Sequence, residues 1–150
     1  MPIDKEFVST SVPETISFAK KLAGCLRPGD VVALNGGLGS GKTTFVKGLA
    51  MGLGLSDAHL VKSPTFVLMH VYATQIPLYH FDLYRIESSK ELSAIGFEEF
   101  IFDPAAITCI EWAEKAKGIL PRSTYHVCFA VVGKNRRQIS LSIQGVGIWD

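Results

Sequence analysis

Cysteine is scarce in this 150-residue chain: Cys25, Cys109 and Cys128 sit in apolar surroundings and never at CxxC spacing. Neither a zinc knuckle nor a redox pair is indicated, and buried thiols in a reducing compartment are expected. The four histidines, at 59, 70, 80 and 126, lack a second ligand at metal spacing and read as core or surface imidazoles. Charge of one sign is also missing. Lys plus Arg number 15 against 14 for Asp plus Glu, so no field of one sign exists to hold nucleic acid unaided. Any contact with RNA is expected to run through a partner. No apolar run reaches the roughly 18 residues that span a bilayer. The start MPIDKEFVSTS has no basic stretch followed by an apolar one. A cytoplasmic protein with no membrane contact is therefore expected. Internal repeats and low-complexity segments are absent, and 47% apolar with 19% charged residues is the composition of a folded chain. The length is that of one domain, expected over residues 1–150.

What is present organises simply. EFVST (6–10) alternates as a short strand, and Ser11 with Glu14 has capping-box spacing ahead of a helix with its stripe at Ile16, Ala19, Ala23 and Leu26. VVALN (31–35) is a continuous apolar run, the mark of a strand covered on both faces. A helix is predicted over 43–53, ended by Gly52 and Gly54. TFVLMHVY (65–72) and IPLYHFDLY (76–84) read as a hairpin, and Ser88 with Glu91 opens a helix holding Leu92 and Ile95. AITCIEW (106–112) is a second buried-type strand, and 125–132 with 137–143 reads as a closing antiparallel hairpin. Helices mixed with buried and alternating strands predict an α/β fold: a phosphate-loop NTPase-like three-layer domain with a mixed, partly antiparallel sheet.

Between the strand at 31–35 and the helix after it lies Gly36-Gly37-Leu38-Gly39-Ser40-Gly41-Lys42-Thr43, which satisfies GxxxxGK[ST] in the context that motif requires. Background composition produces such a string on the order of once in two hundred chains of this length. Glycines without Cβ atoms let backbone N–H groups close around phosphate oxygens. The helix start adds unpaired donors and the positive end of its dipole. The expected cradle is made of Gly37, Leu38, Gly39, Ser40, Gly41, Lys42, Thr43 and Thr44. Lys42 would reach the β- and γ-phosphates of a nucleoside triphosphate, and the Thr43 hydroxyl would ligate Mg²⁺. A second metal contact calls for an acid at a strand's carboxyl end. Glu111, closing ITCIE, and Asp82, within YHFDLY, are the candidates, and an ion pair with Arg85 would also account for Asp82. Thr65 in SPTF has the spacing of a switch threonine or of an ordinary turn.

Four segments, Gly36 to Thr43, SPTF (63–66), HFDLYR (80–85) and IEWAE (110–114), occur in the order and spacing of the bacterial TsaE proteins, also called YjeE. The resemblance runs from the first helix to about Pro121. It implies a small ATPase that binds and slowly hydrolyses ATP and acts with the TsaB and TsaD proteins in making threonylcarbamoyladenosine in tRNA. By the same resemblance Lys42 and Thr43 are the phosphate-loop pair and Thr65 the switch-like threonine. Asp82 matches the HxDxY aspartate, and Glu111 with Trp112 the Walker-B-like pair, the tryptophan lying near the nucleotide. Taken alone, Trp112 reads as a core aromatic capping its strand. Lys42, Asp82 and Glu111 are thus the expected catalytic group, and Thr43 and Glu111 the metal pair. The family usually has an acid where this chain has Gly37, so a polar contribution there is in doubt. A small-molecule kinase shares the loop, but the five arginines form no lid-like cluster. A guanine-nucleotide switch would need an Asn-Lys-x-Asp string, which does not occur. Lys134, Arg136 and Arg137 read as a solvated turn.

Overall fold

In the computed structural model, residues 5–143 are described; the ends of the expected 1–150 domain, residues 1–4 and 144–150, lie outside the described residues. The chain runs β1 (Lys5–Ser9), α1 (Val12–Ala23), β2 (Val31–Asn35), α2 (Lys42–Gly52), β3 (Met69–Tyr72) and β4 (Leu78–Asp82). It continues through α3 (Ser89–Ala94), α4 (Phe97–Ile101), β5 (Ile107–Glu111), β6 (Tyr125–Gly133) and β7 (Arg136–Ile143). The strands form one sheet in the order β1-β7-β6-β2-β5-β4-β3. β6, β2, β5 and β4 are parallel, while β7, β1 and β3 add antiparallel edges. The α/β class and the mixed, partly antiparallel sheet are as expected.

Two cores account for the three layers. Along β2, Val32 and Leu34 point to one face, where Phe18 and Leu22 of α1 and Phe45 and Leu49 of α2 cover them. Val31 and Ala33 point to the other, beneath Leu92 of α3, Phe97 and Ile101 of α4, and Phe81 of β4. β5 divides the same way, with Ile107 and Cys109 on the first side and Ile110 on the second. Strands walled on both sides favour apolar residues on both faces, which is why VVALN and ITCI show no polar–apolar alternation. Among the described residues no helix is long and apolar enough to cross a membrane.

Local predictions mostly hold, with instructive shifts. Ser11 caps α1 by accepting from Glu14 N–H at 3.2 Å, but Glu14 returns its bond to Thr10 N–H (2.7 Å) rather than to the cap residue. Ser88 makes no side-chain cap bond, and Glu91 likewise reaches one residue further back, to Glu87 N–H. Gly52 does not end its helix for conformational reasons: a Cβ there would stand 2.6 Å from Ala23 Cβ, so it lets α2 lie against α1. The strand predicted over 65–72 begins at Met69 instead. Residues 65–68 turn, with Leu68 N–H bonded to Pro64 O at 2.6 Å and Leu68 at φ 77°. Side-chain bonds from Ser63 and Thr65 to β4 compete there with a regular ladder. The short helix α4 has no counterpart in the sequence reading, nor does the pairing of β1 with β7.

Candidate functional site

The parallel strands bring their carboxyl ends to one edge, and there the loop after β2 opens into α2. Its path depends on glycines at specific points. Gly41, the N-cap of α2, has φ 107° and Gly39 has φ 71°, both in the region that penalises a Cβ. Gly36 is required for a different reason: a Cβ would stand 2.9 Å from Phe129 O and 2.7 Å from Ser40 Oγ. Gly37 has open space around it. The N-cap supplies no side-chain acceptor. Ser40 N–H bonds Gly37 O and Phe45 N–H bonds Gly41 O; the N–H groups of Gly39, Gly41, Lys42, Thr43 and Thr44 have no partner among the described residues. Ser40 Oγ is likewise buried without a partner. A row of free donors at an uncapped helix start suits a multiply charged anion.

Lys42 is buried, and its ammonium bonds the carbonyls of Gly36 and Gly37 while lying 3.7 Å from the Trp112 ring centroid. Burial lowers its pKa from the ordinary lysine value, opposed by the charges of Glu111, Glu114 and Asp82. Thr43, the next residue, donates to Glu111, at 3.0 Å to Oε1 and 3.2 Å to Oε2. Glu111 stands beside Leu34 of β2 and Asp82 of β4 in the sheet register, so both predicted acids share one edge. Only 3% of Glu111 and 2% of Asp82 is exposed, yet their partners differ. Asp82 Oδ2 accepts from Ser63 Oγ (2.5 Å) and Thr65 Oγ1 (2.7 Å), and Oδ1 from Tyr84 N–H (2.9 Å). No ion pair joins it to Arg85, which lies over the Phe66 ring. Trp112 does not merely cap its strand. At φ 58° it reverses the chain after β5, a conformation costing roughly 1–2 kcal/mol, and its indole packs between the Tyr84 ring and the Lys42 ammonium.

These groups surround a cavity of about 830 Å³. Gly37, Leu38, Gly39, Ser40, Gly41, Lys42, Thr43 and Thr44 line its floor, with Ser63, Thr65, Asp82, Tyr84, Glu111 and Trp112 on one side. The other side is formed by Ser9, Thr10, Ser11, Val12 and Thr15 and by Asn135 and Arg137. Every site residue expected from the sequence therefore borders a single cavity. Sequence reasoning missed this second wall, and it missed Ser63, Tyr84 and His80. Arg137 is not simply a solvated turn residue, since it donates to Gly39 O at 3.2 Å. His80 is legible from spacing, because residues two apart on a strand share a face and Asp82 is a candidate acid.

Among the described residues no three His, Cys, Asp or Glu side chains gather as a metal cluster. The donor set suits a hard divalent cation carried in with an oxygen-rich ligand: one hydroxyl, Thr43, and one carboxylate, Glu111.

Comparison with known proteins points the same way. The family model "Threonylcarbamoyl adenosine biosynthesis protein TsaE" matches residues 9–139. The tRNA threonylcarbamoyladenosine biosynthesis protein TsaE of Treponema pallidum is 37% identical over 135 residues, covering 90% of this chain and 98% of that protein. Its namesake from Bacillus subtilis is 38% identical over 133 residues, covering 88% and 81%. Among solved structures, the crystal structure of Bacillus subtilis YdiB superposes with a TM-score of 0.80 at 31% identity, covering 97% of this chain and 89% of that one.

Proposed function

The chain belongs to the TsaE family, whose role is in tRNA threonylcarbamoyladenosine biosynthesis, and from that premise we propose that it is an ATPase serving that modification. It binds ATP with Mg²⁺ and hydrolyses it slowly alone and faster with TsaB and TsaD. One observation carries the reading: an uncapped helix start, with its N–H groups unpaired, lies directly against the Thr43–Glu111 pair.

The residues divide the work by position. The amides of Gly39 and of Gly41 to Thr44 take phosphate oxygens. Lys42 exchanges the Gly36 and Gly37 carbonyls for β- and γ-phosphate oxygens, a stronger charge-assisted contact. Thr43 and Glu111 are the groups that would hold Mg²⁺, which when bound neutralises developing charge on the phosphates. Asp82 fixes the hydroxyls of Ser63 and Thr65 at the mouth on the same side. With the triphosphate end drawn toward the acids, the base faces the opposite wall of Ser9, Thr10, Ser11, Val12, Thr15, Asn135 and Arg137. Apart from Arg137 on that wall, Lys42 of the floor is the one cationic lining residue among the described residues. A group from a protein partner that completes the charge balance or orients water would then accelerate hydrolysis. With near-equal numbers of basic and acidic residues, tRNA contact is through the complex, in the cytoplasm.

ATP turnover by the full chain, with and without TsaB and TsaD, tests the proposal. Stimulation by the pair supports it. Phosphorylation of a small metabolite with no protein partner would instead make the chain a kinase, the alternative its loop allows.

A further inference from the structure

A buried line of side chains ends at the phosphate loop, and the mechanism above uses only its last member. His80 Nε2 lies 2.6 Å from Glu111 Oε2, and His80 Nδ1 lies 3.1 Å from the Tyr72 hydroxyl. His80, Glu111 and Tyr72 are 0%, 3% and 7% exposed. They sit on three adjacent strands, β4, β5 and β3, on the face that α1 and α2 cover. A filler of that core needs no nitrogen, and an aliphatic residue would avoid the cost of burying one.

Glu111 Oε1 is held by Thr43 from α2, while Oε2 is shared between Thr43 and His80 from β4. Anchors from two different elements, α2 and β4, hold the carboxylate in one orientation, toward the helix start. Without His80, a buried Oε2 loses its charge-assisted partner, and the group is free to rotate away from Thr43. Tyr72 acts one step further out: its hydroxyl beside Nδ1 turns the ring so that Nε2 faces Glu111. The same hydroxyl lies 3.4 Å from Lys62 O, next to the Ser63–Thr65 segment that Asp82 holds. β4 thus carries two anchors two residues apart on one face, His80 for Glu111 and Asp82 for the hydroxyl segment.

We infer that His80 is a positioning residue for Glu111, with Tyr72 as the partner that orients it. It touches neither nucleotide nor metal and acts through the carboxylate. The inference rests on the ATPase reading for its kinetic consequence, but its geometric part stands apart from that reading.

Both parts are testable on the full chain. In histidine-labelled protein at alkaline pH, ¹⁵N NMR should find the His80 proton on Nε2, protected from exchange, and Glu111→Ala should remove that protection. A proton on Nδ1, or equal exchange in both proteins, overturns the inference. In kinetics, His80→Leu should keep magnesium-free nucleotide affinity and KM but lose about tenfold or more in kcat, the usual scale for a residue that orients a ligating one. His80→Gln, whose amide can donate to Glu111, should recover most of that loss. Leu and Gln variants both as active as the parent, or both equally impaired, would reduce His80 to packing. Should His80→Leu fail to fold, His80→Gln and Tyr72→Phe decide. The first should stay near parental kcat and the second fall a few-fold at unchanged KM; the reverse order contradicts the inference. A parent chain with no turnover at all would sink the ATPase reading, leaving the NMR result to judge the geometry.

Discussion

Replacing Asp82 by alanine separates a functional tether from a merely structural one. Its carboxylate accepts from Ser63 Oγ, Thr65 Oγ1 and Tyr84 N–H while only 2% exposed. Hydrogen bonds to a charged acceptor contribute about 1.5–3 kcal/mol each, so three give roughly 5–9 kcal/mol before costs. Burying the carboxylate costs several kcal/mol, and alanine removes that cost together with the bonds. The two hydroxyls line the cavity and can turn to water, leaving the Tyr84 N–H as the main orphan. The balance is a loss of about 1–3 kcal/mol. In a chain of this length that lowers Tm by about 3–9 °C and leaves it folded. If the loss is confined to the 61–68 segment, its open population rises about 5- to 150-fold. Limited proteolysis reads that rise directly, and partner-stimulated ATP turnover should vanish with it. Asp82→Asn, keeping one acceptor, should lose about 1 kcal/mol. Cleavage of Asp82→Ala at the parental rate would refute the tether, and an unfolded variant would make Asp82 a structural acid.

Other perturbations follow from the same geometry. Lys42→Ala should weaken ATP binding by about 10- to 100-fold, the equivalent of one charged contact, whereas Glu111→Ala should leave magnesium-free binding intact and abolish magnesium-dependent hydrolysis; calorimetry and phosphate release read the two. Equal turnover in the Glu111 variant would mean that a different acid serves the metal. Gly36→Ala drives a Cβ to 2.9 Å from Phe129 O and should destabilise by about 1–3 kcal/mol in urea, while Gly37→Ala, pointing into open space, should stay within about 0.5 kcal/mol. Thr10 N–H and hydroxyl bonds lower the Glu14 pKa, so its contribution to capping α1 is present above the unfolded value and lost as pH falls through the folded one. The Tm difference between the parent and Glu14→Gln should therefore be constant at neutral pH and narrow as pH falls below the ordinary glutamate value of about 4.5.

Much of this was legible in the chain because local rules and fold agree. VVALN and ITCIE announced strands walled on both faces, and the glycine string between strand and helix announced the anion cup. What was hidden depends on contacts between distant residues. The 65–68 turn could not be read, since an apolar run with β propensity is overridden by the bonds that Ser63 and Thr65 make to a carboxylate 19 and 17 residues away. His80 looked isolated because its partner, Glu111, lies 31 residues on and meets it only through the β4–β5 register. Arg137 looked solvated until the pairing of β7 with β1 and β6 brought that hairpin over the loop. Gly36 and Gly37 are indistinguishable in sequence, yet one is locked by Phe129 and the other is open.

The central claim is that the amides of Gly39 and of Gly41 to Thr44 form a cup for a magnesium-bound polyphosphate. A crystal structure of the chain grown with Mg²⁺ and a non-hydrolysable ATP analogue tests it most directly. The account predicts phosphate oxygens within hydrogen-bond reach of those N–H groups, Lys42 withdrawn from the Gly36 and Gly37 carbonyls, and the metal between Thr43 and Glu111. An analogue bound elsewhere, with Lys42 still on those carbonyls, would contradict it.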